Sequence, residues 1–173
     1  MLFGLVGSEM CIRDREIPFM DLSRLLTPEA VKVVSNATSK KRLLQTIGEL
    51  AQTAYGLDVS ITVKALQQRE NLGPTGVGHG VALPHARVSS MDHVVGTFIL
   101  LENPIDFGAV DQLPVDLIFS LFAPTNAGVD HLKALALVSR TLRDSAFCTK
   151  LRYTCDPATL YAILTASQDT AVA

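Results

Sequence analysis

The residues best suited to chemistry lie close together between positions 69 and 85, in the segment RENLGPTGVGHGVALPH. Glycines alternate through its middle, and without Cβ atoms their backbone N–H groups can approach an anion and point at it. The segment ends in Pro84-His85, where the proline restrains the preceding residue to an extended conformation. A neutral imidazole is nucleophilic near its ordinary pKa of about 6.5 and can accept a phosphoryl group. The segment thus predicts an anion-binding loop that presents His85 as a nucleophile.

Two nucleotide-binding motifs share only their glycines with this segment. A P-loop ends in Lys followed by Ser or Thr, and that pair is missing here. A dinucleotide fingerprint follows a strand and opens a helix, whereas Gly76, Gly78 and Gly80 come before a predicted strand. The context therefore excludes both motifs.

Two predicted helices precede the glycine-rich segment. The first begins at Lys40 and ends at Gly56, with apolar residues at helical spacing between them. The second runs from Ser60 as N-cap to Gly73, the residue that ends it. Its spacings of four, four and three predict an apolar, inward-facing stripe that carries an arginine. That stripe consists of Ile61, Ala65, Arg69 and Leu72.

The second half of the chain alternates between strand and helix signals. Residues 74–80 are too rich in glycine for regular structure, and Val81–Leu83 predicts a short strand that ends at Pro84-His85. The apolar runs 94–101 and 115–123 are typical of strands covered on both faces. Turns are expected at Asn103-Pro104 and at 124–126. Helices are predicted over 129–143, with His131 on the apolar face, and over 145–153 and 157–166. The expected fold class is α/β, a single domain whose central mixed β-sheet is flanked by helices on both faces.

Composition limits the classes of partner. The chain has 173 residues, 48% hydrophobic and 18% charged, with a net charge of -2, as expected for one globular domain. Because it has no basic stripe, a nucleic-acid partner is not expected. Its apolar runs are too short to span a bilayer, so we expect contact with a membrane at its periphery at most. The three cysteines form no CxxC pair, which favours a reducing, cytoplasmic location.

The first fifteen residues differ in character from the rest. They have a short apolar patch but no basic region before it and no small-residue cleavage site after it, so a secretory signal is not predicted. We expect residues 1–15 to be a disordered or non-native leader, 16–168 to form the domain and 169–173 to form a tail.

The segment from Arg69 to His85 resembles the active-site signature of the fructose/mannitol-type enzyme IIA family of the phosphotransferase system. The later segment DHLKAL at 130–135, with Ser139-Arg140, is similar to the second signature block of that family. The resemblance extends from about residue 21 to residue 166. It implies a histidine phosphocarrier of the phosphoenolpyruvate-dependent system, with neither a cofactor nor a metal ion.

The resemblance also implies roles for individual residues. His85 is expected to be phosphorylated, with Arg69 and His131 flanking it and contacting the phosphoryl group. Both flanking residues fall on predicted apolar helix faces, where an unpaired polar group is costly, and a bound anion would account for their placement. The family accepts several residues at the position of His79, so His79 is not expected to be essential. The phosphoryl pocket is expected to be shaped by Thr75, Gly76, Gly78 and Gly80.

Within the family, residues 100–109, LLENPIDFGA, and the length of the chain resemble the nitrogen-regulatory branch. That branch implies an HPr-like phosphocarrier protein as donor and regulatory target proteins, such as kinases and transporters, as partners. The alternative is a sugar-specific member that passes the phosphoryl group to a IIB unit.

Two other classes of protein stay open at this stage. Two or three of the four histidines, His79, His85, His93 and His131, could meet in space to bind zinc in a hydrolase, although none shows a ligand spacing such as HxxxH. The chain could also be an interaction domain that keeps the fold without the chemistry. The co-occurrence of Arg69, His85 and His131 favours the phosphocarrier over both.

Overall fold

The computed structural model describes residues 20–166, which form six α-helices, one 3-10 turn and one six-stranded sheet. The helices are α1 (Leu22–Leu25), α2 (Lys40–Tyr55), α3 (Val59–Leu72), α4 (Val129–Thr141), α5 (Ser145–Arg152) and α6 (Pro157–Thr165), and the 3-10 turn is Pro28–Ala30. The strands are β1 (Val31–Val34), β2 (Gly76–Gly78), β3 (Val81–Ala82), β4 (His85–Arg87), β5 (Val95–Ile105) and β6 (Val115–Ala123). The predicted leader, residues 1–15, and the predicted tail, 169–173, lie outside the described residues.

The sheet is mixed and is built around the two long strands. Its order is β1-β5-β6-β3-β2, and β4 also pairs with β6. Strands β5 and β6 are antiparallel, while β1 runs parallel to β5, and β3 and β4 run parallel to β6. The register places Val81 opposite Leu117 and His85 opposite Leu121, so β3 and β4 follow each other along the same edge of β6.

Helices cover both faces of the sheet. Successive residues of β5 point to opposite sides and therefore pack against different helices. Phe98 and Leu100 join one buried cluster with apolar residues of α1, α4, α5 and α6. Ile99 and Leu101 join a second cluster with apolar residues of α2 and with Leu66 of α3. The predicted fold class is therefore confirmed, and so is the burial of both long strands on both faces.

The ends of α2 and α3 agree with the sequence analysis except at the start of α3. Helix α2 ends as predicted at Gly56, whose φ of 70° is the left-handed conformation that glycine adopts without strain. The N-cap of α3 lies two residues before the predicted N-cap, Ser60, and the helix begins at Val59. Asp58 is the N-cap, because its carboxylate accepts a hydrogen bond from the backbone N–H of Ile61 at 2.9 Å. The C-terminal end at Gly73 agrees with the prediction.

The predicted inward stripe of α3 was wrong. The residues of α3 that face the core are Thr62, Val63 and Leu66. Ile61 and Leu72 are 57% and 84% exposed. The helix carries apolar residues on more than one side, so its periodicity did not distinguish the core-facing side. Ala65, Arg69 and Leu72 of this stripe instead line an open groove.

The glycine-rich segment is a β-hairpin, which corrects the prediction of an irregular loop. Strands β2 and β3 are antiparallel, with Gly76 opposite Ala82 and a turn at His79-Gly80. Pro84 then interrupts the pairing with β6, since proline has no N–H to donate. His85 consequently begins a strand of its own, β4, instead of closing the predicted strand 81–83.

The predicted turn at Asn103-Pro104 is also wrong, because β5 continues to Ile105. The β5–β6 register shifts between Leu100 and Ile105, and a proline is tolerated at such an irregularity.

Strand β1 was not predicted, since four residues carry little periodic signal. The three C-terminal helices lie within two residues of their predicted bounds. Within residues 20–166 none of the helices has the length and apolar character needed to cross a membrane.

Candidate active site

Arg69, His85 and His131 come from three different elements and meet at one point. The Nε of Arg69, in the last turn of α3, donates a hydrogen bond to Nε2 of His85 at 3.2 Å. The ring of His131, in the first turn of α4, lies edge-on to that of His85, with 5.5 Å between centroids and an interplanar angle of 71°. Residues separated by 16 and 46 positions in the chain thus form one cluster of a guanidinium and two imidazoles.

The hydrogen bonds of His85 determine which of its ring nitrogens carries the proton and which carries the lone pair. Its Nδ1 lies 2.9 Å from the carbonyl oxygen of Leu83. A carbonyl oxygen only accepts hydrogen bonds, so Nδ1 carries the proton and Nε2 carries the lone pair. The Arg69 contact agrees, because a guanidinium only donates. The free lone pair therefore lies at Nε2, on the side of the ring that faces Arg69.

Its surroundings keep the His85 imidazole uncharged. Burial is the main cause that lowers the pKa of His85 below its ordinary value, and the charge of Arg69 lowers it further. The hydrogen bond to Leu83 opposes this effect only in part. A neutral ring keeps its lone pair, so the environment favours nucleophilic attack near neutral pH.

Arg69 retains hydrogen-bonding capacity for a ligand. Its Nη1 donates to the carbonyl oxygen of Gly73 at 3.1 Å and its Nε donates to His85. Its Nη2 has no hydrogen-bond partner in the part of the chain that the structure describes. Nη2 carries two N–H groups, so this half-buried guanidinium has two donors left beside His85 that could bind the oxygens of a phosphoryl group.

His131 is 6% exposed, and its Nε2 is a buried polar atom without a hydrogen-bond partner among residues 20–166. Burial is the main cause that lowers the pKa of His131, and repulsion from Arg87 and from the protonated form of His85 lowers it further. Its place in the first turn of α4 acts in the same direction, because the helix dipole disfavours a cation there. An orphaned nitrogen of this kind is costly, and a ligand in the adjacent groove would supply its partner.

The cluster opens onto a groove of about 460 Å³ between α3 and α4. Both walls are largely apolar, and two of their leucines, Leu72 and Leu132, are 84% and 67% exposed. Polar atoms are concentrated at the cluster itself. The groove therefore places His85 on an open, largely apolar surface. Its lining includes Ala65, Arg69, Leu72, His85, Arg87, His131, Leu132 and Leu135.

The predicted pocket-shaping residues have other contacts. The buried Thr75 donates from its backbone N–H and its hydroxyl to the carboxylate of Glu70. A Cβ on Gly76 would lie 2.8 Å from the Cα of Ala109, so Gly76 permits close packing of two chain segments. Gly78 and Gly80 have φ of 99° and 79° and form the tight hairpin. In the described structure, none of these four residues lines the groove with His85.

Sequence reasoning missed two residues that matter here. Arg87 lines the groove two positions after His85 on the same strand, and side-chain alternation along β4 was the signal that could have identified it. It is held by a 3.2 Å hydrogen bond from Nη1 to the carbonyl oxygen of Thr125. Glu70 was part of the recognised signature but had no assigned role, and its side chain is 6% exposed.

The histidines do not gather into a metal site. His79 lies in the hairpin turn, where its backbone N–H bonds to Asp111 and its carbonyl oxygen accepts from Arg152. His93 is exposed and pairs with its neighbour Asp92. Over residues 20–166, no group of three or more His, Cys, Asp or Glu side chains is arranged to bind a metal ion. The geometry thus gives no support to the zinc-hydrolase alternative.

Comparison with known proteins identifies the class. The model of the family "Phosphoenolpyruvate-dependent sugar phosphotransferase system, EIIA 2" matches residues 24–167, and the chain belongs to this family. It is therefore a protein of the phosphotransfer type, and the resemblance inferred from the signature is confirmed.

The relatives point to a particular branch. A nitrogen regulatory protein of Bradyrhizobium diazoefficiens is 42% identical over 145 residues, which cover 84% of this chain and 95% of the relative. A nitrogen regulatory protein of Escherichia coli is 38% identical over 152 residues, covering 87% and 93%. The crystal structure of nitrogen regulatory protein IIA-Ntr from Neisseria meningitidis superposes with a TM-score of 0.75 at 34% identity, covering 82% and 97%. These similarities support a nitrogen-regulatory IIA role and confirm the predicted branch.

Proposed function

We propose that this protein is a phosphocarrier that accepts a phosphoryl group on Nε2 of His85 from an HPr-like phosphocarrier protein. The observation that carries the proposal is the tautomer of His85, whose lone pair at Nε2 faces Arg69 while the ring of His131 lies edge-on beside it. Family membership supports the same chemistry. We further propose that the reaction takes place in the cytoplasm, as the cysteine composition suggests.

The proposed step is an in-line transfer between two imidazoles. The lone pair of His85 Nε2 forms the new N–P bond while the N–P bond of the donor breaks, and the electron pair of that bond returns to the donor ring. No proton has to leave His85 Nε2, because the ring proton is already on Nδ1. The main task of the residues around His85 is then to neutralise the charge on the three non-bridging oxygens of the transferred phosphoryl group.

Arg69 has two successive tasks in this step. In the free protein its Nε–H occupies the lone pair of His85. When the phosphoryl group arrives, this hydrogen bond has to move from nitrogen to a phosphoryl oxygen, with Nη2 available for a second oxygen. His131 lies beside the ring of His85, and its unpartnered Nε2 would gain a polar neighbour in the phosphoryl group. The hairpin glycines contribute indirectly, through the position of the chain that leads to His85.

The phosphorylation state would then control binding to regulatory target proteins. A phosphoryl group on His85 adds about two negative charges to a groove bordered by exposed leucines. A partner that docks on the apolar walls would meet a different surface in each state. This proposal rests on the position of His85 in the floor of the groove and on the similarity to nitrogen regulatory proteins.

Incubation with labelled phosphoenolpyruvate and the general phosphotransferase proteins tests the proposal. We expect label on the wild-type protein, none on His85→Ala, and full label on His93→Ala, which removes an exposed histidine outside the groove. The bond should be labile in acid and stable in base, as a phosphoramidate is. Equal labelling of the His85→Ala protein would end the phosphocarrier proposal. Transfer of the label from this protein to an added IIB unit would favour the sugar-specific alternative.

A further inference from the structure

Beside the cluster lies a buried carboxylate that the proposed transfer does not use. The side chain of Glu70 is 6% exposed and carries an ion pair with Lys40, whose Nζ lies 2.6 Å from Oε1. Oε1 also accepts the backbone N–H of Thr75 at 3.1 Å, and Oε2 accepts the Thr75 hydroxyl. A carboxylate is held in such a place only when its oxygens are paired, and these are.

From this carboxylate one path of hydrogen bonds leads to Arg69. The bonds between Glu70 and Thr75 close the turn that follows α3, and Gly73 lies inside that turn. The Gly73 N–H bonds back to the carbonyl oxygen of Glu70 at 3.2 Å. The Gly73 carbonyl oxygen accepts Nη1 of Arg69. The position of the guanidinium therefore depends on a turn that Glu70 and Thr75 hold closed.

A second path leads from Thr75 to the nucleophile. The carbonyl oxygen of Thr75 accepts the N–H of Leu83 at 2.9 Å. The carbonyl oxygen of Leu83 accepts Nδ1–H of His85 at 2.9 Å and so determines its tautomer. Thr75 is thus bonded both to the turn that holds Arg69 and to the residue that orients His85.

We propose that Glu70 and Thr75 are positioning residues, and that the Thr75 hydroxyl, bonded to Glu70, sets both the guanidinium of Arg69 and the ring of His85. They act through Gly73 and Leu83 and do not touch the phosphoryl group. The catalytic consequence rests on the proposed function, whereas the effect on the ring of His85 does not. A displacement of about 1 Å at a reacting centre can cost a factor of 100 in rate, so loss of this anchor is expected to be visible in transfer.

The test compares Thr75→Val, which keeps the shape and loses the hydroxyl, with Thr75→Ser, which keeps the hydroxyl. Thr149→Val is the matched control, since the exposed Thr149 also donates its hydroxyl but on α5. We expect Thr75→Val to slow phosphotransfer about tenfold, and Thr75→Ser and Thr149→Val to stay within about twofold of wild type. Nitrogen NMR of the unphosphorylated proteins should show one His85 tautomer, Nδ1–H, in every protein but Thr75→Val, where the two tautomers mix.

The ring signals decide the inference independently of transfer. If wild-type protein accepts no phosphoryl group, the proposed function fails, while a tautomer change confined to Thr75→Val still supports the positioning role. If Thr75→Val shows the wild-type tautomer and the wild-type rate, or if Thr75→Ser is as impaired as Thr75→Val, the hydroxyl is not the anchor and the inference is overturned.

Discussion

The Nε–H of Arg69 occupies the lone pair of His85 Nε2 at 3.2 Å in the free protein. The group proposed to receive the phosphoryl oxygens therefore also covers the nucleophile until the donor arrives. This contact lowers the pKa of His85 in addition to the effect of burial, and it keeps the ring neutral. In the proposed reaction, Arg69 thus has a role before the transfer as well as during it.

Removal of this guanidinium should slow the transfer without unfolding the protein. We expect Arg69→Ala to reduce the rate of phosphorylation by about tenfold or more, because charge neutralisation is lost. Arg42→Ala, which removes an exposed arginine in the first turn of α2, should transfer at the wild-type rate. Rapid-quench measurement of the labelled protein gives the rates, and thermal melting confirms the fold. A normal rate in folded Arg69→Ala would refute its role.

Replacement of His131 should separate stability from function. His131→Leu removes a buried nitrogen that has no partner among residues 20–166, so the free energy of unfolding should stay unchanged or rise by about 1 kcal/mol. Phosphotransfer should fall about tenfold, because the second imidazole beside His85 is lost. Urea denaturation and labelling on the same preparation check both. A destabilised protein with normal transfer would assign His131 to the core instead of the site.

The two imidazoles should make stability depend on pH. Both pKa values are lowered in the folded state, mainly by burial. Between the ordinary value near 6.5 and the lowered values, the unfolded chain binds more protons, so the free energy of unfolding falls as the pH falls. Denaturation at pH 7.5 and pH 5 should show this loss in the wild type. The loss should be smaller in the His85→Gln, His131→Gln double variant, and an equal loss would remove these two groups as its source.

Phosphorylation should change affinity for a protein partner by about tenfold or more. The reason is that about two negative charges appear beside apolar walls that include Leu72 and Leu132. Calorimetry with a partner, using wild-type protein in both states, measures the difference. His85→Ala should bind like the unphosphorylated form under all conditions. Superimposable isotherms for the two states would contradict signalling through this groove.

Glycine substitution should distinguish packing from phosphoryl binding in the hairpin. Gly76→Ala places a Cβ 2.8 Å from Ala109 and should lower the free energy of unfolding by about 1–3 kcal/mol. Gly128→Ala meets no atom within 4 Å and should change it by less than about 1 kcal/mol. Transfer per folded molecule should be normal in Gly76→Ala. A stable Gly76→Ala protein with impaired transfer would instead support a direct role of this amide.

Much of the site could be predicted because its signals are local in the sequence. Gly56 ends α2, the apolar run 115–123 forms a fully covered strand, and Pro84 presents His85 at the edge of β6. Each of these follows from backbone sterics or from burial of a continuous apolar segment, which neighbouring residues determine. The signature that ends at His85 was enough to identify the family, as the match over residues 24–167 confirms.

The tertiary structure decided what periodicity leaves ambiguous. Apolar residues lie on more than one side of α3, and only packing against the sheet selected Leu66 for the core and left Leu72 exposed in the groove. Likewise, the meeting of Arg69 with His85, and the link from Glu70 through Thr75 to both, depend on contacts between elements. Local conformational preference sets where an element begins and ends, whereas burial and hydrogen bonding between distant segments set which of its sides becomes the site.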